Sequence, residues 1–288
     1  MSDPVPYLNN FPSLFSSDSH LSLVILYLIM RFLCLCGAYG SSDKFEVQLA
    51  PLVKELRSDN TAEFSFIHGP VEVFPPESFE TYFGRGPYYR FIKPIDAKDG
   101  TPDVLDRIRN FPKGATAEDQ MRALMGPTIG TPVSNLDNPT YHSSREGIDY
   151  LYNIMERDGP FDGILGYSEG ATVAATLLLH EQRRFEVEGR EPMFKCAVFF
   201  AGWPPMNPDL NAVVLADESD LQITIPTCHV IGSLDPYLGG SMALYNICDL
   251  DTAFLFDHAK GHTLPRDRET VKELGDTIRM MCSSIQSD

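Results

Sequence analysis

Phe161-Asp-Gly-Ile-Leu-Gly-Tyr-Ser-Glu-Gly-Ala171 is the stretch on which the fold turns. Its first half, Phe161–Tyr167, is an apolar run of strand length, and Ala171–Leu179 behind it reads as a helix. Between them Gly166-Tyr167-Ser168-Glu169-Gly170 matches G-x-S-x-G in the context that gives this short motif its meaning, a strand before and a helix after. A serine on so sharp a turn has a strained backbone, and its neighbours two residues away must lack a Cβ to avoid collision. The turn lifts Ser168 Oγ clear of the sheet at the N-terminus of the next helix. There the helix dipole and the Glu169 N–H can stabilise a developing oxyanion. Stripped of its flanks, the same pentapeptide is only a turn serine between glycines.

A nucleophilic serine needs a base, and in this arrangement an acid and then a histidine follow it along the chain. Four histidines come after Ser168. His180 lies about three turns along the same helix and points away. His229 sits inside the strand run Thr224–Ile231 and reads as half-buried. His258 and His262 both follow the strand Ala253–Phe256. His262, after Gly261 and just before the last helix, has the loop position a base requires, whereas His258 reads as a solvated turn residue. The acid belongs in the loop after the preceding strand, where Val230-Ile-Gly-Ser-Leu-Asp-Pro-Tyr237 supplies Asp235. Its role would be to hold the imidazole in the right tautomer and stabilise the imidazolium. Asp217, Glu218 and Asp220 precede that strand and read as a solvated acidic loop.

The second oxyanion donor belongs after the first strand, Phe32–Cys36, in Cys36-Gly37-Ala38-Tyr39, and the Ala38 N–H is assigned there. His68-Gly69 resembles an oxyanion motif, but Pro70 has no N–H to donate, so His68 reads as a wall or structural residue. Further elements are a helix from about Asp43 to Leu56, a strand Ala62–Ile67, a helix Ser143–Arg157, a strand Phe194–Phe200, a short helix Met242–Ile247 and a closing helix Pro265–Cys282. Alternating α and β elements with near-continuous apolar strands imply an α/β protein, a mostly parallel central sheet with helices on both faces. Residues 70–140 break the pattern with proline, glycine and aromatic residues. This insertion reads as the substrate-binding region, with Tyr39, Phe83, Tyr88 and Tyr89 as candidate contacts and Phe74, Phe79, Tyr82 and Phe91 beside them. A surface excursion packing its own aromatics is the alternative.

Composition excludes more than it identifies. The 288 residues are 43% hydrophobic and 22% charged, an ordinary globular balance. The 40 acidic against 23 basic residues leave a formal net charge of −17, which repels nucleic-acid backbones and anionic membrane surfaces. The six cysteines form no C-x-x-C pair and read as buried reduced thiols of an intracellular, cytoplasmic protein. The apolar run Leu21–Cys36 is short for a membrane span and contains Arg31, and residues 1–29 hold no Lys or Arg to start a signal peptide. Its second half is read as a strand, leaving 1–29 as an N-terminal extension and 30–288 as one domain. His258-x-x-x-His262 has metal-like spacing, but Gly261 and the lack of an intervening glutamate argue against a metal site. No phosphate-binding glycine loop opens a helix after a strand, so no cofactor is implied. The sequence carries no signature of oligomeric state.

Met30-Arg-Phe-Leu-Cys-Leu-Cys-Gly, Gly86-Pro-Tyr-Tyr, Phe161–Ala171, Phe200-Ala-Gly-Trp203, Gly232-Ser-Leu-Asp235 and Gly261-His-Thr-Leu-Pro265 together resemble the fungal serine hydrolase family FSH1. The resemblance covers about residues 30–282. It is nearest to the esterases and thioesterases of fungal secondary-metabolite pathways, a branch that includes lovastatin-type polyketide-releasing thioesterases. It implies an α/β-hydrolase fold, Ser168, Asp235 and His262 as a triad, and hydrolysis of an ester or of a thioester joining a polyketide to a carrier protein. In the family a histidine commonly stands where Cys36 stands here, and members often begin near Met30. A carrier protein is itself acidic as a rule, so docking one would need a basic patch, for which Arg85, Arg90 and Lys93 are the candidates. An acyltransferase and a non-catalytic binding protein on the same fold are the competing readings.

Overall fold

The computed structural model describes residues 29–75, 84–93, 110–125 and 139–285. The extension, up to residue 28, and Phe79, Tyr82 and Phe83 lie outside them. The apolar run that opens the described chain forms β1 (Met30–Leu35), buried at five of its six residues. After it come α1 (Ser42–Arg57), β2 (Ala62–Ile67), β3 (Val71–Val73), β4 (Tyr88–Arg90), α2 (Ala117–Met125), α3 (Pro139–Asp158) and β5 (Gly163–Tyr167). The second half adds α4 (Glu169–Glu188), β6 (Cys196–Phe200), β7 (Thr227–Ile231), α5 (Leu238–Tyr245), β8 (Ala253–Asp257) and α6 (Arg268–Ile285).

Six strands pair in parallel in the order β2-β1-β5-β6-β7-β8. β6 and β7 are buried at every residue, which requires cover on both faces of the sheet. Arg279 of α6 forms ion pairs with Glu55 of α1 and with Asp59, and Tyr152 of α3 packs its hydroxyl on His180 of α4. The chain runs outward from β1 to β2 and then back to β5 on the other side of β1. The crevice at the carboxyl ends of β1 and β5 is thus a topological switch point, where such sheets bind ligands. All six cysteines are buried and unbridged. Among the described residues no helix is long and apolar enough to cross a membrane.

Several element ends differ from the expected ones, each for a local reason. α4 continues past Leu179 because Arg183–Glu186 and Arg184–Glu188 pairs carry its polar turns to Gly189, whose φ of 65° caps it. α5 starts four residues early and runs across Gly239-Gly240, where the Trp203 indole fills the space a Gly240 side chain would need. α6 starts at Arg268, since Asp267 caps it by accepting from Thr270 N–H and O–H. The insertion holds structure of its own: β3 and β4 pair as an antiparallel ribbon, and α2 packs on α5.

Candidate active site

Ser168 has φ 53° and ψ −119°, a conformation an L-residue holds only when its surroundings impose it. Its N–H donates to the Phe200 carbonyl at 2.8 Å, and its own carbonyl accepts from Ala171 at 3.0 Å and Thr172 at 3.2 Å. A Cβ on Gly166 would collide with the Gly170–Ala171 backbone, and one on Gly170 with the carbonyl oxygens of Leu35 and Cys36. The glycines of the motif therefore let the turn press against the end of β1.

Asp235 and His262 meet at this turn. His262 Nε2 lies 3.2 Å from Ser168 Oγ, and its Nδ1 lies 2.7 Å from Asp235 Oδ2. The Asp235 side chain is 1% exposed, and its Oδ1 accepts the Tyr237 N–H at 2.8 Å. The loops that carry acid and histidine are tied together: Leu234 N–H donates to the Lys260 carbonyl, and Ser233 N–H to Asp257 Oδ1. The imidazole has Tyr167 and Tyr237 as ring neighbours at 5.4 and 5.1 Å, and the Tyr167 hydroxyl donates to the His262 carbonyl. The Ser168–His262 and His262–Asp235 contacts have the arrangement that acyl-transfer chemistry uses.

The other histidines are placed elsewhere. His180 bonds the Tyr152 hydroxyl. His229 is fully buried, not half-buried as its strand position suggests, and burial pushes its pKa down to about 3. His258 is not solvated: it is 6% exposed, its Nδ1 has no hydrogen-bond partner among the described residues, and burial lowers its pKa. His68 stacks on Tyr89 and its Nδ1 sits 3.1 Å from Ser42 Oγ, a structural position. Asp217 and Glu218 pair with Arg122.

The loop after β1 lies against Ser168, since a Cβ on Gly37 would stand 3.3 Å from that of Ser168. Ala38, the next residue in that loop, and Glu169, the next after the serine, are the expected sources of oxyanion N–H groups. Strand β4 braces both. Tyr89 N–H donates to the Gly40 carbonyl at 3.0 Å, while the Glu169 carboxylate accepts from Phe91 N–H at 2.8 Å and from Arg90 Nε at 2.7 Å. Arg90 Nη2 approaches the same carboxylate at 2.5 Å, with the two side chains 15% and 10% exposed, and its guanidinium stands over the Tyr39 ring. Arg90 is therefore an internal brace and not a member of a surface basic patch; of the three cations considered for docking, Arg85 and Lys93 are exposed. The brace joins residues 79 apart, and nothing local in either segment announces it.

Of the expected substrate contacts, Tyr39 lines a cavity of about 210 Å³ beside His262. Tyr88 packs with Val73 of the ribbon and with Tyr39 of the loop after β1, and Tyr89 is stacked on His68; neither lines that cavity. Phe83 lies outside the described residues. A different aromatic group adjoins the base: Phe111 and Trp203 both pack on Tyr237, which meets His262 edge-on. Sequence reasoning passed it over, although Phe200-Ala-Gly-Trp203 put Trp203 at the end of a strand beside the nucleophile. Cys36 is no rival nucleophile, because burial pushes its thiol up to about 12.

Residues 28–274 match the family described as Serine hydrolase (FSH1). Hydrolase phiM of Talaromyces stipitatus is 28% identical over 258 residues, covering 88% of this chain and 87% of its own length. Esterase FUS5 of Gibberella fujikuroi is 28% identical over 259 residues, covering 89% and 88%. A carboxylesterase structure from Bacillus cereus aligns over 88% of each chain at 19% identity, with a TM-score of 0.45. With a family match over most of its length and a serine, histidine and aspartate in hydrogen-bonded series on a parallel α/β sheet, the chain belongs to the FSH1 serine hydrolases and is an ester-hydrolysing enzyme of the α/β-hydrolase fold.

Proposed function

We propose that Ser168, His262 and Asp235 are the catalytic triad and that the enzyme cleaves a carboxylic ester or acyl thioester through an acyl-Ser168 intermediate. The observation that carries this reading is the continuous series Ser168 Oγ, His262 Nε2, His262 Nδ1, Asp235 Oδ2. Ser168 Oγ adds to the substrate carbonyl as its proton passes to His262 Nε2. The Ala38 and Glu169 N–H groups receive the oxyanion. Collapse expels the alkoxide or thiolate, which takes the proton back from Nε2. Water then repeats the sequence on the acyl-enzyme and frees the acid. Asp235, almost wholly buried, fixes the tautomer and stabilises the imidazolium.

The resemblance to secondary-metabolite esterases supports a substrate from polyketide biosynthesis. A free small-molecule ester is favoured over a chain on a carrier protein, because the internal placement of Arg90 leaves only Arg85 and Lys93 of the candidate docking cations on the surface. A fluorophosphonate probe should label the wild type and not Ser168→Ala, and ester hydrolysis should fall by at least about 10⁴-fold in the variant. Equal labelling of both proteins would refute the nucleophile. Rates on matched 4-nitrophenyl esters and acyl thioesters decide the substrate class, and a clear thioester preference would overturn the ester reading.

A further inference from the structure

The cavity beside His262 has a composition that the triad does not explain. Its walls include Tyr39, Lys44, Gln48, Tyr167, His262 and Arg266, and among the described residues no acidic one lines it, in a chain of 40 acids and 23 bases. Lys44 Nζ is held 4.5 Å over the ring of Tyr88, which packs with Tyr39. Arg266 Nη2 donates to the Val47 carbonyl at 3.2 Å, which anchors the guanidinium through one donor of its fork. The first turn of α1, carrying Lys44 into the wall, adds the positive end of a 16-residue helix. Asp43 in that turn is exposed, bonds the Ser42 hydroxyl and does not line the cavity.

The position of the cavity says which half of a substrate it meets. His262 Nε2 must return a proton to the departing oxygen or sulfur, so the leaving half of the substrate rests against the imidazole. That imidazole is part of the cavity wall. The aromatic group of Phe111, Trp203 and Tyr237, uncharged throughout, is the surface suited to an apolar acyl chain.

We infer that the Lys44–Arg266 cavity is a subsite for an anionic group of about the size of a carboxylate, carried on the leaving-group half of the substrate. The inference rests on the triad reading above and narrows its substrate class to esters whose alcohol or thiol half bears a negative charge. Both cations act on that charge at short range, Lys44 from a half-buried position and Arg266 from an exposed one.

The test compares 3-carboxy-4-nitrophenyl butyrate, 4-nitrophenyl butyrate and mono-4-nitrophenyl glutarate, each rate normalised to hydroxide-catalysed hydrolysis. In the wild type, kcat/KM for the ester with a carboxylated leaving group should exceed that for the neutral ester by about tenfold at low salt, and the ratio should fall as salt screens the cations. In Lys44→Gln and in Arg266→Gln the ratio should drop severalfold, with fluorophosphonate labelling of Ser168 showing that each variant is folded. The glutarate ester, charged on its acyl half, should gain nothing over the neutral one. A wild-type ratio near one, a ratio unmoved in both variants, or an equal gain for the glutarate ester would overturn the subsite while leaving the triad standing. Failure of the wild type to be labelled or to cleave any of the three would overturn the triad reading and the subsite with it.

Discussion

Helix α4 carries two inward-facing glutamates, and they have opposite environments. Glu169, in its first turn, meets a guanidinium and a backbone N–H, so each carboxylate oxygen has a partner. Glu181, three turns on, is 6% exposed, with Oε1 accepting the Met193 N–H at 3.1 Å and Oε2 without a hydrogen-bond partner among the described residues. Burial raises its pKa from 4.5 to about 7. The helix and the residue type are the same; what differs is whether another segment brings a cation. At the nucleophile end one does, and the ion pair pins the ribbon to the site. In the body of the helix no described residue of another segment brings a cation to bond Glu181, and the carboxyl answers by keeping its proton nearer to neutrality.

The comparison can be tested from its strongest contact downwards. Gly170→Ala puts a methyl group against the Leu35 and Cys36 carbonyls in the turn that Glu169 opens. Loss of ester hydrolysis by more than about 10²-fold is expected, together with a lower Tm, because the nucleophile must move. An active, equally stable variant would show that the turn is looser than its packing implies. Arg90→Gln removes the cation from Glu169 without touching the triad. Here kcat should fall by roughly 10- to 100-fold with little change in KM, as the Glu169 N–H loses its exact aim at the oxyanion. Affinity for a boronate transition-state analogue should fall in parallel; a change confined to KM would reduce the brace to a substrate contact.

The smallest effect belongs to Glu181→Gln. The folded carboxyl holds its proton more tightly than the unfolded one, so the stability it contributes is fully present below about pH 4.5. That stability is lost as pH rises through about 7. The loss is on the order of 3 kcal/mol. Urea unfolding at pH 5 and pH 8 should therefore show the wild type weakening more than the variant across that interval. Parallel pH dependence in the two proteins would remove the contrast between the glutamates.

What was legible in the chain follows how local each signal is. The strands of the sheet, the nucleophile turn and the ordering of Ser168, Asp235 and His262 are written in apolar runs and in the residues that end them. Asp235 stands before a proline at a strand end, and His262 before a capped helix, so both positions can be read without knowing what they touch. Element ends set by distant packing are less readable. Gly239-Gly240 looks like a helix breaker until Trp203 is seen to need the room. His258 looks like a turn residue until the Gly232 backbone is seen beside its ring. The Arg90–Glu169 brace spans 79 residues and joins a weakly patterned insertion to the best patterned turn in the chain. Charge in a sequence has no direction, and Arg90 read with its neighbours suggested an outward face when its partner lies inside.

The strand order has a consequence for how the protein is made. β1 takes β2 as a partner soon after both emerge, but its other edge waits for β5, about 130 residues further on, where Phe32 pairs with Gly163. At ribosomal rates of roughly 5–20 residues per second, that edge stays open for on the order of ten seconds. Met30-Arg-Phe-Leu-Cys-Leu35 is an apolar segment of the kind that recruits other strands. The crevice that later seats the nucleophile thus begins as an unpaired edge on a nascent chain, and the yield of folded enzyme depends on keeping it to itself until β5 arrives.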